Sequence, residues 1–200
     1  WEGNDNPLLI NDPRFSPAGV LAPKSKADLA FTMHMLSWLS TSGTAAIVEF
    51  PGVLYRGGAE QKIRKYLVDN NYIDTVIQLP PDLFFGTTIA TCIIVLKKSK
   101  KDNSILFIDA SAEFVHLGNK NKLAEANRKK ILDAFIRRTG TDYFARLVPN
   151  SQVAENDYNI AVSSYVEQEN TAEEVDIEKL NAHIAEIVTR QNELRAAIDE

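Results

Sequence analysis

The sequence predicts an α/β fold, and three observations carry that prediction. Segments of helical period alternate with short β-branched runs through the first 140 residues. The strand-like runs are continuously apolar rather than alternating, so both of their faces are expected to be covered. The composition suits a chain with its own core. It has 200 residues, 44% hydrophobic and 24% charged, a length that buries roughly 70% of the surface of the unfolded chain without staples.

Residues 1–24 are rich in Asn, Asp, Pro and Gly, with Pro7, Pro13, Pro17 and Pro23 spread through them. They read as an irregular leading loop, long enough to suggest a functional role or a missing context. Ser25-Lys26-Ala27-Asp28 offers a cap and an acidic first turn to the run LAFTMHMLSWLS, a helix apolar nearly all round and so expected to be buried on more than one side. Ser42-Gly43 stops it. Thr44–Phe50 is a β-branched strand broken by Pro51-Gly52. Ala59, Ile63, Tyr66 and Leu67 recur at helical spacing between Gly58 and Asn70. A second strand, Ile73–Leu79, closes at Pro80-Pro81, and the loop DLFFGTT leads to the apolar run Ile89–Leu96. Asn103–Asp109 is a fourth strand, and a helix is expected over Lys120–Arg138. After a loop containing NDYNIAVSSYV, Ile177, Leu180, Ile184, Ile187, Gln191, Leu194 and Ile198 step by three and four. That is an a/d seam over three heptads, opened by a capping box from Thr171 to Glu174. It is read either as a helix folded back on its own domain or as a helix that meets a partner.

The net charge of −5 is unevenly spread. Residues 1–150 hold 19 Lys/Arg against 15 Asp/Glu, and residues 151–200 hold 3 against 12. The body is mildly basic and permits contact with a polyanion; the acidity belongs to the tail. No apolar stretch approaches the roughly 20 residues of a membrane span, and the first ten residues lack a signal pattern. The single cysteine, Cys92, implies a reducing compartment, hence a cytoplasmic protein.

His34, His116 and His183 stand far apart, so no metal site is expected. His34, between Met33 and Met35 on an apolar helix, reads as a satisfied core histidine. Arg56-Gly57-Gly58 fails the dinucleotide fingerprint and reads as a turn. Leu79-Pro80-Pro81-Asp82 imitates the Asn-Pro-Pro-aromatic turn of amino-group methyltransferases. That chemistry needs a side-chain amide oxygen and a backbone carbonyl to accept hydrogen bonds from the target amino group, and leucine has no acceptor. Asn6-Pro7-Leu8-Leu9 lacks the second proline and the aromatic ring. Phe84-Phe85-Gly86-Thr87-Thr88 is more informative. Its rings either fold onto the core or form an aromatic face at the open end of a sheet, suited to stacking on a base.

The segments KADLAF, GTAAIVEFPGVLYRGGAEQKIRKYL, IDTVIQLPPDLFFGTTIATCIIVLKK and ILFIDAS closely resemble the modification (methylation) subunit of type I restriction-modification systems. Those are adenine-N6 DNA methyltransferases that use S-adenosylmethionine. The likeness runs from Trp1 to about Tyr165. It implies the distal half of a Rossmann-like class I methyltransferase sheet with an antiparallel edge hairpin, plus C-terminal helices. In the family the donor-binding Phe-x-Gly-x-Gly segment and the Asn-Pro-Pro-aromatic motif precede the residues present here. The chain is therefore expected to be the C-terminal portion of a longer polypeptide, inactive by itself.

Three regions follow: 1–115 as the distal half of the catalytic domain, 116–170 as helix and linker, and 171–200 as a coiled-coil-like docking helix. By the resemblance, Phe85 stacks on the flipped adenine, with Phe84 as the alternative one residue away. Asp28 and Phe31 line the pocket for donor and base, unless Asp28 is only a helix-start carboxylate. Lys97, Lys98, Lys100 and Lys101 either touch DNA phosphate or form a solvated strand end. Ile177, Leu180, Ile184, Ile187, Leu194 and Ile198 pack against the specificity subunit, in a complex that also holds a restriction subunit and double-stranded DNA. No membrane is implied. The competing reading is a non-catalytic fragment that only docks the specificity subunit through its last helix.

Overall fold

The computed structural model describes residues 1, 6–169 and 177–199, with the side chains of the last segment described for 180–195. Contacts divide the chain into two units, Trp1–Gln168 and Glu169–Glu200. The first contains α1 (Pro7–Ile10), α2 (Asp28–Trp38), β1 (Thr44–Glu49), α3 (Ala59–Asp69), β2 (Ile73–Gln78), β3 (Cys92–Lys97) and β4 (Ser104–Asp109). It continues through β5 (Val115–Leu117), β6 (Lys120–Lys122), α4 (Glu125–Arg137), β7 (Ala145–Pro149) and α5 (Asn150–Glu155). The second contains α6 (Ile177–Asp199). No helix among the described residues is long and apolar enough to cross a membrane.

Five strands form one sheet in the order β1-β3-β2-β4-β7. β3 runs antiparallel to both β1 and β2, so those two strands are parallel to each other with β3 inserted between them. β2 and β4 are parallel, and β7 closes the far side antiparallel to β4. The expected antiparallel edge hairpin is thus β2–β3, but it lies inside the sheet, with β1 beyond β3 and with β4 and β7 beyond β2. β7 has no counterpart in the sequence reading. It is short, contains Arg146 and Pro149, and buries only Ala145 and Val148.

The continuous apolarity of β2, β3 and β4 reports cover on both faces. Val76, Ile94, Leu96, Ile105 and Phe107 face a core built with Leu29, Met33, Leu54, Ile63 and Leu67. Ile77, Leu106 and Ile108 face a second core with Phe144, against which Leu123, Ile131 and Phe135 pack. A register shift between Ile73 and Thr75 bulges Asp74 out of the ladder. Arg138, left-handed at the C-cap of α4, donates to the buried Asp74 carboxylate at 2.9 Å and fastens α4 to the sheet.

β1 breaks the pattern. Its sequence is as apolar as its neighbours', yet only Glu49 is buried, and Val48 and Phe50 are about half exposed. α2 departs from the sequence reading in a related way. It buries Leu29, Ala30, Thr32, Met33 and Leu36 but leaves Phe31 and Trp38 exposed. Its N-cap is Ala27, without a side-chain cap. His34 is not the satisfied core residue expected. Its ring stacks on Phe15 at 5.8 Å and tilts against Trp38 at 4.7 Å, and its buried Nδ1 has no partner among the described residues.

The helix expected from Lys120 begins instead at Glu125. Residues 115–122 fold as the two-stranded hairpin β5–β6, turned at Gly118 with φ +60°. The Asn127 side chain then accepts from the Ala124 N–H at 3.0 Å and starts α4. The NDYN stretch is a clamp. The buried Arg64 donates to the carbonyls of Val53 and Tyr158 at 2.9 and 2.8 Å, and the Ile160 N–H donates to Leu54 O. In α6, Leu180, Ile184, Ile187 and Leu194 are exposed. The side chains of Ile177 and Ile198, and the capping box Thr171–Glu174, lie outside the described residues.

Candidate functional site

In a sheet with parallel strands, ligands gather beyond the strands' carboxyl ends. Here those are Glu49-Phe50 after β1 and Leu79-Pro80 after β2, with Cys92 of the antiparallel β3 paired between Glu49 and Gln78. A cleft of about 250 Å³ opens there, lined by Asp28, Val48, Glu49, Phe50, Phe84, Thr87 and Thr91. Three elements supply it: the first turn of α2, the end of β1, and the loop from Leu79 to Thr91. Concavities of about 400 Å³ lie along α4 and beside the leading loop. Neither brings a carboxylate and an aromatic loop to the strand ends.

Of the residues singled out by sequence, Asp28 and Phe84 line this cleft together. Phe85 stands next to it, fully exposed at 101% of its reference area, so it does not fold onto the core. Phe31 is exposed on α2, one turn after Asp28. The lysines fall elsewhere. Lys97 pairs with Thr44, at the other end of β1 from Glu49, so the lysine run and the cleft lie at opposite ends of the sheet. Lys98 donates to Leu39 O at 2.6 Å. Lys100 donates to the carbonyls of Ile73 and Ser104 at 2.7 and 2.6 Å, and burial lowers its pKa to about 8.

Glu49 was missed by the sequence reading, although an acid closing an apolar strand was a usable signal. Its carboxylate accepts from the Thr32 hydroxyl at 2.9 Å inside the cleft wall. Burial pushes its pKa up to about 7; the nearby Asp28 charge adds to the rise, and the Thr32 bond opposes it. At neutral pH this carboxyl is divided between its two forms, so it can donate or accept a hydrogen bond. The Cys92 thiol donates to Glu49 O at 3.4 Å, and burial raises it to about 12, so it stays a thiol. An apolar, aromatic-rimmed cleft with such a carboxyl suits a planar heterocycle.

The loop that carries the phenylalanines is shaped by positive φ on both sides of them, +57° at Asp82 and +81° at Gly86. Glycine is needed at 86, because a side chain there would be strained. No group of three or more His, Cys, Asp or Glu among the described residues could hold a metal ion.

The sequence profile described as N-6 DNA methylase matches residues 1–174. The type I restriction enzyme MpnII methylase subunit of Mycoplasma pneumoniae is 50% identical over the whole chain, which spans 37% of that protein. The MjaVII methylase subunit of Methanocaldococcus jannaschii is 35% identical over 88% of the chain and 31% of its own length. Among solved structures, the type I restriction-modification methyltransferase subunit of Streptococcus thermophilus superposes with a TM-score of 0.79. It is 47% identical and covers 81% of this chain and 35% of its own. The M protein of type I restriction enzyme EcoKI shares the fold, with a TM-score of 0.59 at 16% identity over 89% of this chain and 45% of its own.

Proposed function

The chain belongs to the N-6 DNA methylase family, and on that premise we propose that it is the distal part of a type I restriction-modification methylation subunit. The reaction is methyl transfer from S-adenosylmethionine to adenine N6 in double-stranded DNA. This chain's share is the wall against which the flipped adenine rests. Phe85 stacks on the base, Phe84 lines the cleft beneath it, and Asp28 and Glu49 face its polar edge. Phe31 sits one turn along α2, on the donor side. What carries the reading is the aromatic loop, held open at the carboxyl ends of the strands with Phe85 bare of any cover.

The donor does not fit the residues present here. The cleft of about 250 Å³ is small for a nucleoside cofactor, and none of the residues that line it is a glycine that could offer a bare backbone amide. Asp28 and Phe31 supply at most one side of a donor pocket, so no chemical step is assigned to them. In the full-length subunit, Phe85→Ala is expected to reduce single-turnover methylation about 100-fold while donor affinity stays within about threefold, as loss of an interaction made only on the way to the transition state requires. Equal loss of both would remove the stacking role.

A second, compatible role rests on α6, where Leu180, Ile184, Ile187 and Leu194 form an exposed apolar row. We assign this row to the specificity subunit, which then reads the DNA sequence while the restriction subunit joins the same complex. Such a protein works in the cytoplasm, where its DNA is.

A further inference from the structure

The β5–β6 hairpin has little share in the core. Val115, His116 and Leu117 are all exposed, and β6 is at most half-buried. Among the described residues, the hydrogen bonds that leave the hairpin strands all end on the aromatic loop. Lys120 donates to Asp82 Oδ1 at 3.3 Å and to Thr87 O at 3.0 Å. The Asn121 backbone N–H donates to Asp82 O at 3.0 Å, and its side-chain amide donates to Pro81 O at 2.9 Å. Pro81 and Asp82 precede the two phenylalanines and Thr87 follows them. One ammonium thus bridges both limbs of the loop at its neck. Beyond that neck Phe85 has no packing to hold it. The Thr87 hydroxyl adds only a local bond, accepting from the Ile89 N–H at 3.1 Å. A loop whose tip is unpacked samples many conformations unless its base is fixed.

We propose that the β5–β6 hairpin is the brace of the aromatic loop, with Lys120 and Asn121 as positioning residues that fix where Phe84 and Phe85 stand. The role rests on the reading of that loop as the base-stacking wall. Lys120 acts through the loop and touches no substrate. Removing its ammonium leaves the two limbs, among the described residues, joined only at the base, where the Leu79 N–H donates to Thr91 O at 2.9 Å. A wall misplaced by about an ångström costs up to about 100-fold in rate.

The test uses the full-length subunit in its complex. In Lys120→Met, amide exchange across residues 80–91 is expected to quicken at least about tenfold. Single-turnover methylation should fall by about 10- to 100-fold, with DNA retention and donor binding unchanged. Lys120→Arg should restore both, because a guanidinium can donate to two acceptors. Phe85→Ala run in parallel separates the two ideas. If it loses methylation while Lys120→Met changes neither exchange nor rate, the brace is refuted and the stacking wall stands. If Phe85→Ala keeps its rate, the stacking reading fails and the positioning role falls with it. Should Lys120→Met unfold, Asn121→Ala must show the same direction of change in exchange and rate; unchanged values there overturn the proposal.

Discussion

Replacing Glu49 by Gln keeps the side chain's size and its acceptor for the Thr32 hydroxyl, and removes only the titration. In the unfolded chain this carboxyl ionises near 4.5; in the folded protein it does so at about 7, chiefly because it is buried, with Asp28 close by. The native state therefore holds a proton that the unfolded state has released. Stability depends on pH as the difference in bound protons, so it falls as pH rises from about 4.5 through about 7 and is flat beyond. Converted at about 1.4 kcal/mol per pH unit, that difference sets a ceiling of about 3 kcal/mol. The cleft opens to water, whose screening reduces it, and we expect about 1–2 kcal/mol.

Urea unfolding of the two proteins between pH 5 and pH 8.5, followed by circular dichroism, measures this. At pH 5 they should be nearly equal, and by pH 8 Glu49→Gln should be the more stable by that amount. Other groups titrate in the same range. Lys100, with its pKa lowered to about 8, makes both proteins gain stability as pH rises past that value, so the readout is the difference between the curves. A difference that stays constant within about 0.3 kcal/mol across the range would refute the buried, proton-holding carboxyl. A difference that grows toward low pH would refute its sign.

The remaining predictions concern the clamp, the tail and the donor. Arg64→Met strands the carbonyls of Val53 and Tyr158, while Glu60 keeps its ion pair with Arg56, so urea unfolding should show a loss of about 2–4 kcal/mol; less than about 1 kcal/mol would mean that water replaces the guanidinium. Ile184→Asp should abolish co-purification with the specificity subunit while circular dichroism of the α/β unit is unchanged, and unfolding of the whole chain would instead make α6 part of its core. Calorimetry of this 200-residue chain with S-adenosylmethionine should give no measurable heat, and micromolar binding would overturn the conclusion that its residues do not form a donor pocket.

How much of this was legible depended on whether the chain carries both partners of a contact. β2, β3 and β4 announced their depth in composition, because the helices and loops that cover both of their faces are in the same 200 residues. The β5–β6 hairpin hid behind a helix reading. Lys120 and Asn121 make polar bonds to a loop 33 to 40 residues earlier, and periodicity is blind to such bonds. The phenylalanines were found from their cost in a loop, but their separate placement needed the positive φ at Asp82 and Gly86. Glu49 was passed over because a single acid does not disturb an apolar pattern, although its position at the strand end is what places it in the cleft.

β1 is the instructive failure. TAAIVEF has the composition of a covered strand, yet β1 pairs only with β3 among the described residues and leaves Val48 and Phe50 about half bare. A sequence records the environment in which it was selected, and an uncovered apolar edge is a liability for a strand. Together with a chain that spans 37% of its Mycoplasma pneumoniae relative, the mismatch argues that the cover for β1 comes from residues outside these 200. Ala45 and Ile47 pack one face of β1 on the core, and the other face is bare. The cleft lies at the carboxyl end of that half-covered strand, so on the proposed reading this chain brings a wall for the base and the donor pocket belongs to the residues that complete the cover.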